Sequence, residues 1–194
     1  MAIEFELKYR ASQEALEEIA LAMGPGERVY EMQTAYYDTL AGDLSRLRYT
    51  LRRRYENGVS VCTLKTPAGG SARQEWEVEA ESIQEAIPML CKLGCPQELP
   101  QLVASGLVNI CGARFTRRAW TLEAGASLVE LALDRGVLLG GGKEIPLYEM
   151  EVELKAGRRE DAMVYARVLA EKYGLSTEEK SKFRRALDLA KEGA

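Results

Sequence analysis

The 194-residue chain carries 26 Lys and Arg against 30 Asp and Glu, for a net charge of −4, and 46% of its residues are apolar. That composition suits one globular domain over residues 1–194 and argues against a general nucleic-acid binder. Histidine is absent, which excludes Ser-His-Asp and Cys-His triads, phosphohistidine chemistry and histidine-ligated zinc or iron.

In chain order, Ile3 to Arg10 alternates without a break, with Ile3, Phe5, Leu7 and Tyr9 on one face and Glu4, Glu6, Lys8 and Arg10 on the other. Period two predicts a strand. A helix follows from Ser12, its cap, to Met23, and Gly24-Pro25-Gly26 stops it. Strands are expected at Val29–Asp38, at Leu47–Tyr55 and, after the Asn57-Gly58 hairpin turn, at Val59–Lys65. Arg73–Glu81 is the next. Ser82 with Glu85 forms a capping box for a helix toward Leu93, with Pro88 inside it, and a shorter helix is expected at Leu99–Ser105. Strands resume at Ala113–Glu123, Ser127–Asp134 and Pro146–Lys155, the last preceded by a turn at Gly140-Gly141-Gly142. Two helices close the chain: Arg159–Tyr173, ended by Gly174, and one that follows a Ser176/Glu179 capping box to about Lys191.

Eight strands with short or Gly-rich connections predict an α+β fold with a largely antiparallel sheet. The polar faces of these strands are almost wholly charged, and the sign changes from strand to strand. Glu4 and Glu6, Glu75 and Glu77, and Glu149, Glu151 and Glu153 are acidic; Arg52, Arg54 and Lys65 are basic. Like carboxylates two residues apart on a strand lie about 7 Å from each other and repel unless a cation intervenes. The Phe5, Leu51, Trp76 and Val152 faces offer apolar surface for helices. If the sheet closes, the charges face a lumen that must hold water, metal and a charged ligand. Arg forks match phosphate oxygens. With no histidine, a metal must rest on carboxylates, which select Mg2+ or Mn2+. Together these describe a metal–polyphosphate complex, and the absence of a P-loop motif excludes that class of site.

The residues that carry this pattern resemble a known family. Glu4-Phe5-Glu6-Leu7-Lys8 is similar to the Glu-x-Glu-x-Lys signature of the CYTH superfamily, the triphosphate tunnel metalloenzymes. Tyr36-Tyr37-Asp38-Thr39, Leu51-Arg52-Arg53-Arg54, Thr63-Leu64-Lys65, Arg73-Gln74-Glu75, Arg117 with Trp120, Glu130 with Asp134, Glu149-x-Glu151-x-Glu153 and Ser181-Lys182 follow in family order. The set most resembles bacterial inorganic triphosphatases. The resemblance implies a single tunnel domain, an eight-stranded antiparallel β-barrel with helices packed outside. It implies Mg2+ or Mn2+ as cofactor and a triphosphate-containing small molecule as partner.

By the same resemblance, Lys8, Arg52, Arg54, Lys65, Arg117 and Lys182 grip phosphates. Glu4, Glu6, Asp134 and the C-terminal glutamates Glu149, Glu151 and Glu153 hold metal, with Glu75 and Glu130 in the same acidic shell. Which two of the three C-terminal glutamates ligate is open, as is whether Arg184 or Arg185 reaches the tunnel, because Ser-Lys-Phe-Arg-Arg-Ala stands where relatives often have Arg-Gly after Ser-Lys. Arg53 falls on the apolar face and is expected to snorkel to solvent. The expected reaction is metal-assisted hydrolysis of a terminal phosphoanhydride, with Glu4, Glu6, Lys8, Asp134 and Glu149 at the reacting centre. The alternatives are a class IV type adenylate cyclase, a thiamine triphosphatase, and a non-catalytic polyphosphate- or nucleotide-binding module. Cys62, Cys91, Cys95 and Cys111 lack the spacing of a four-thiolate site and read as free thiols. No apolar run approaches the ~18 residues of a membrane span and the N-terminus has no signal core. The expectation is a cytoplasmic protein without a membrane partner, monomeric or homodimeric.

Overall fold

The computed structural model describes residues 5–69 and 73–192. Its strands are β1 (Glu6–Arg10), β2 (Arg28–Asp38), β3 (Thr50–Glu56), β4 (Val59–Pro67), β5 (Arg73–Glu79), β6 (Val108–Ala124), β7 (Ser127–Gly140), β8 (Lys143–Ala156) and β9 (Ser176–Thr177). Its helices are α1 (Gln13–Met23), α2 (Asp43–Arg46), α3 (Ile83–Lys92), α4 (Leu99–Leu102), α5 (Arg159–Tyr173) and α6 (Lys182–Lys191). The strands form one antiparallel sheet in the order β5-β4-β3-β2-β6-β7-β8-β1-β9. The eight predicted strands are all present and antiparallel. The closed ring expected of a barrel is not completed by backbone pairing: among the described residues the ladder runs from β5 to β9 and its two ends are not joined.

Local chemistry explains most boundaries. Ser12, Ser82 and Ser181 each accept a hydrogen bond from the backbone N–H three residues on, capping α1, α3 and α6. Asn57 and Gly58 both take positive φ, 50° and 86°, as a two-residue turn between β3 and β4 requires. β3 begins only at Thr50 because Arg48 has φ 59° and the buried Asp38 carboxylate gathers the N–H groups of Thr39, Leu44 and Ser45 into a tight loop.

The expected final helix is corrected at its start. Its cap is Ser181, not Ser176; Ser176–Thr177 instead pair with Tyr9–Arg10 as β9, and the Glu178 N–H donates to the Lys8 carbonyl at 2.8 Å. Long-range strand pairing thus outcompetes a local capping signal.

Register puts the charges on one face. Glu6, Lys8 and Arg10 lie opposite Glu153, Glu151 and Glu149; Glu149 lies opposite Asp134, and Asp134 opposite Arg117. Across the sheet, Arg52 lies opposite Tyr36 and Thr63, and Lys65 opposite Glu75. The other face is apolar. Leu16, Ile19 and Ala20 of α1, with Ala162, Ala166 and Leu169 of α5, pack on Tyr9, Trp120, Leu131, Met150 and Val152. Ile83, Ala86 and Leu90 of α3 pack on Leu51, Cys62 and Leu64.

The expectation that all helices pack outside is corrected for α6. Its Ala186, with Phe183 and Leu187, packs on Met32, Tyr36, Cys111, Ala113, Phe115, Leu138 and Leu147, which share the charged face. Gly140 makes this possible: a Cβ there would stand 2.3 Å from the Ala186 carbonyl oxygen. Among the described residues no helix is long and apolar enough to cross a membrane.

Candidate active site

The centre of the charged face is a buried cluster of three carboxylates and three cations. Asp134 and Glu149 are fully buried and Glu151 nearly so. Arg117 meets Asp134 in a two-pronged contact, Nε to Oδ1 and Nη2 to Oδ2, each 2.7 Å, and also donates to Glu151. Lys182, the first residue of α6, places Nζ 2.7 Å from Asp134 Oδ2 and 2.6 Å from Glu151 Oε1, and also on Glu149 Oε1. Arg185 Nη1 reaches Glu149 Oε2 at 2.7 Å and its Nε lies 3.5 Å from Glu178. Lys182 and Arg185 share a helix face because they are three residues apart.

Burial and charge set the protonation of this cluster. Burial, then the Glu151 charge, pushes the Glu6 carboxyl up to about 8. Burial raises Glu149 to about 7 against the pull of Lys182. Burial acts on Glu151 too, but Lys182 and Arg117 outweigh it and hold that carboxyl well below the usual range. Asp134, Glu149 and Glu151 each offer an oxygen within 4.8 Å of the others. Such an all-carboxylate set fits a hard divalent cation.

Across the face lie the guanidiniums of β3. Arg52 and Arg54 are mostly buried, and their Nε atoms have no hydrogen-bond partner among the described residues. Burial, and then the neighbouring Arg52 charge, lowers the Arg54 pKa. Two like cations side by side, each with an unused donor, have the chemistry to meet an anionic group; the Arg53 Nε, on the other face, is unbonded as well. Lys65 lies 2.8 Å from Glu75, and Arg52 lies 3.9 Å from the same carboxylate. Arg54 pairs with Glu56 at 3.1 Å. Lys8 stands 3.9 Å from Glu6.

The structure therefore gathers Asp134, Glu149, Glu151, Arg117 and Lys182 into one knot and sets Arg52, Arg54, Lys65 and Glu75 on the same face. Glu130 and Glu153 form a separate group with Arg28 and Lys155: Arg28 Nη2 lies 2.5 Å and Lys155 Nζ 3.7 Å from Glu130, and Lys155 lies 2.7 Å from Glu153. Glu130 is four residues from Asp134, about 13 Å along β7, so it is not part of the carboxylate triad. Glu4 lies outside the described residues.

Of the two open arginines, Arg185 faces the cluster and Arg184 pairs with Asp188 at 3.0 Å on the exposed side. Sequence reasoning gave no site role to Tyr36, which it named only within the family-like Tyr36–Thr39 segment, or to Glu178. Tyr36 is buried against Phe183, ring centroids 4.8 Å apart; burial raises its pKa while Arg52 and Lys182 oppose. Glu178 braces Arg10 and Arg185 from the loop before α6. The four cysteines are free.

Comparison with known proteins shows which family the chain is similar to. The CYTH domain family model matches residues 2–187. An inorganic triphosphatase of Haemophilus influenzae is 31% identical over 138 residues, 69% of this chain; the match spans only 39% of that protein's length. Among solved structures, a Hippeastrum protein described as an adenylyl cyclase candidate with a dominant triphosphatase activity superposes with a TM-score of 0.65 at 21% identity, covering 100% of this chain and 96% of that one. A Pyrococcus horikoshii protein superposes with a TM-score of 0.61 at 23% identity, covering 97% and 99%. The likeness extends from the first strand into α6, and the chain belongs to the CYTH domain family.

Proposed function

We propose that this protein hydrolyses the terminal phosphoanhydride of a triphosphate, inorganic triphosphate above all, to phosphate and diphosphate with Mg2+ or Mn2+. The observation that carries the reading is the pairing, on one sheet face, of the Asp134–Glu149–Glu151 carboxylates with the Arg52 and Arg54 guanidiniums whose Nε atoms are buried and unbonded. Lys8, Arg52, Arg54, Lys65 and Arg117 are all less than a quarter exposed. Among the described residues, α6 covers one part of this face, and the burial of these charges beyond it supports a face curved into a tunnel around the substrate.

Asp134, Glu149 and Glu151, with Glu6 beside them, would hold the divalent ion, as would Glu4 by the family resemblance; when bound the ion polarises phosphate oxygens and acidifies water. Arg52 and Arg54 direct their forks at the phosphate chain, and Lys65 and Lys8 neutralise oxygens beside it. Arg117 lies between the two groups and balances charge that shifts to the leaving diphosphate. Water attacks the terminal phosphorus, the bridging P–O bond breaks, and a carboxylate such as Glu149 or Asp134 takes the water proton.

Adenylate cyclization would need a purine pocket. Neither tryptophan supplies one: Trp120 is buried under α1 and α5 with its Nε1–H donating to the Gly24 carbonyl at 3.2 Å, and Trp76 packs under α3. The test is a panel of tripolyphosphate, thiamine triphosphate and ATP with Mg2+, Mn2+ or EDTA, reading phosphate release and cyclic nucleotide. Metal-dependent phosphate release, fastest from tripolyphosphate, supports the reading. Cyclic nucleotide as the main product, or tight binding without release, sinks it.

A further inference from the structure

Lys182 makes a contact that the hydrolysis scheme does not require. Its ammonium has three N–H donors, and three carboxylate oxygens, from Asp134, Glu149 and Glu151, converge on it. These are the three residues whose oxygens lie close enough together to share one cation. A small divalent ion bonds oxygen at about 2.0–2.6 Å, so it cannot take this oxygen set while the ammonium keeps it.

Among the described residues the knot sets Asp134, Glu149 and Glu151 against three cations, Arg117, Lys182 and Arg185, with Glu178 also meeting Arg185. A divalent ion entering alone would add two uncompensated positive charges to a buried site, which is costly. A triphosphate alone would add a large negative charge beside carboxylates. Entering together they largely offset each other.

The fold leaves Lys182 free to exchange partners without moving its backbone. The helix it begins is anchored by Phe183, Ala186, Leu187 and Ala190, while its four-carbon stem can turn. Nζ already lies 5.3 Å from the Phe115 ring centroid, and Tyr36 and Arg52 lie beyond it toward β3. A phosphate held by Arg52 and Arg54 would offer it oxygens on that side.

We propose that Lys182 is a tethered counter-ion that occupies the cation position of the Asp134–Glu149–Glu151 cluster and yields it only when a triphosphate draws the ammonium away, so that metal and triphosphate load cooperatively. The proposal rests on the triphosphatase reading and adds to it a rule for how the site fills. Coupling of this kind is reciprocal, and couplings between sites commonly amount to roughly 5–150-fold.

The test uses Mn2+ alone, with no phosphate present, titrated calorimetrically and by the electron-spin signal of free Mn2+. Lys182→Met should bind Mn2+ roughly 5–150-fold more tightly than wild type, and Lys182→Arg, which restores the charge, should return to the weak wild-type affinity. Equal affinities in wild type and Lys182→Met overturn the proposal. Should Lys182→Met fail to fold by circular dichroism, Lys182→Gln takes its place with the same expectation. Mn2+-dependent phosphate release from tripolyphosphate by the wild type is measured alongside. Release with equal Mn2+ affinities discards the counter-ion and keeps the triphosphatase; tightened Mn2+ binding without release does the reverse.

Discussion

Arg54→Met separates a binding role from a structural one. Arg54 is buried enough for its pKa to fall, and the Arg52 and Arg117 charges disfavour it further, while Glu56 and Glu77 favour it. The fold therefore gains little from this charge, and methionine keeps its apolar bulk on the sheet. Stability should stay within about 1 kcal/mol of wild type, a Tm shift of roughly 2–4 °C for a domain of this size. Substrate loses a charge-assisted donor, worth about 1.5–3 kcal/mol. At about 1.36 kcal/mol per tenfold, kcat/KM for tripolyphosphate should fall about 10- to 150-fold. The assay is phosphate release under Mn2+, paired with a thermal melt of the same preparation. A melt lowered by more than about 8 °C with kcat/KM unchanged would refute the reasoning, because Arg54 would then be a structural cation.

Arg117→Met should behave in the opposite way: it leaves Asp134 and Glu151 buried with one partner fewer, and urea unfolding should show a loss of about 3–5 kcal/mol. Glu6→Gln should abolish phosphate release while leaving the circular dichroism spectrum unchanged. Gly140→Val should force α6 away from β7, since even a Cβ would stand 2.3 Å from the Ala186 carbonyl oxygen; both Tm and phosphate release should drop, whereas the same change at exposed Gly142, where nothing lies within 4 Å, should leave release intact despite strain from its φ of 74°. Burial raises Glu178, but the Arg10 hydrogen bond, the Lys180 N–H and the Arg185 charge outweigh it and lower its pKa from 4.5. A carboxyl depressed in the fold stabilises above its unfolded pKa, and that stability is lost as pH falls through the depressed value. Wild type should therefore exceed Glu178→Gln in urea titrations near neutrality, and the difference should shrink below about pH 4.5; a difference constant with pH would count against the assignment.

Strand faces were legible because alternation is strict. Glu149, Glu151 and Glu153 had to share a face whatever their partners, and cross-strand register then aligned them with Lys8 and Asp134. Arg52 and Arg54 were legible for the same reason. What the sequence could not convey was depth along the strands and the destination of α6. Nothing in the alternation distinguishes Glu153, which turns to Lys155, from Glu151, which turns to Arg117 and Lys182. The amphipathic pattern of Phe183, Ala186 and Leu187 predicts an apolar partner but not that this partner shares the charged face. Ser176 satisfied a capping rule locally and lost to pairing with Arg10, a contact 166 positions away in the chain. Arg185 was open in the sequence, and its i+3 relation to Lys182 was the signal that would have decided it.

The most direct measurement of the central claim is a crystal structure with tripolyphosphate and Mn2+ bound. The account predicts one phosphate chain on the charged face, with Arg52 and Arg54 on one side and Asp134, Glu149 and Glu151 holding Mn2+ on the other. A polyphosphate bound instead on the helix-covered face, or touching Arg52 and Arg54 with Mn2+ bound far from the three carboxylates, would contradict it.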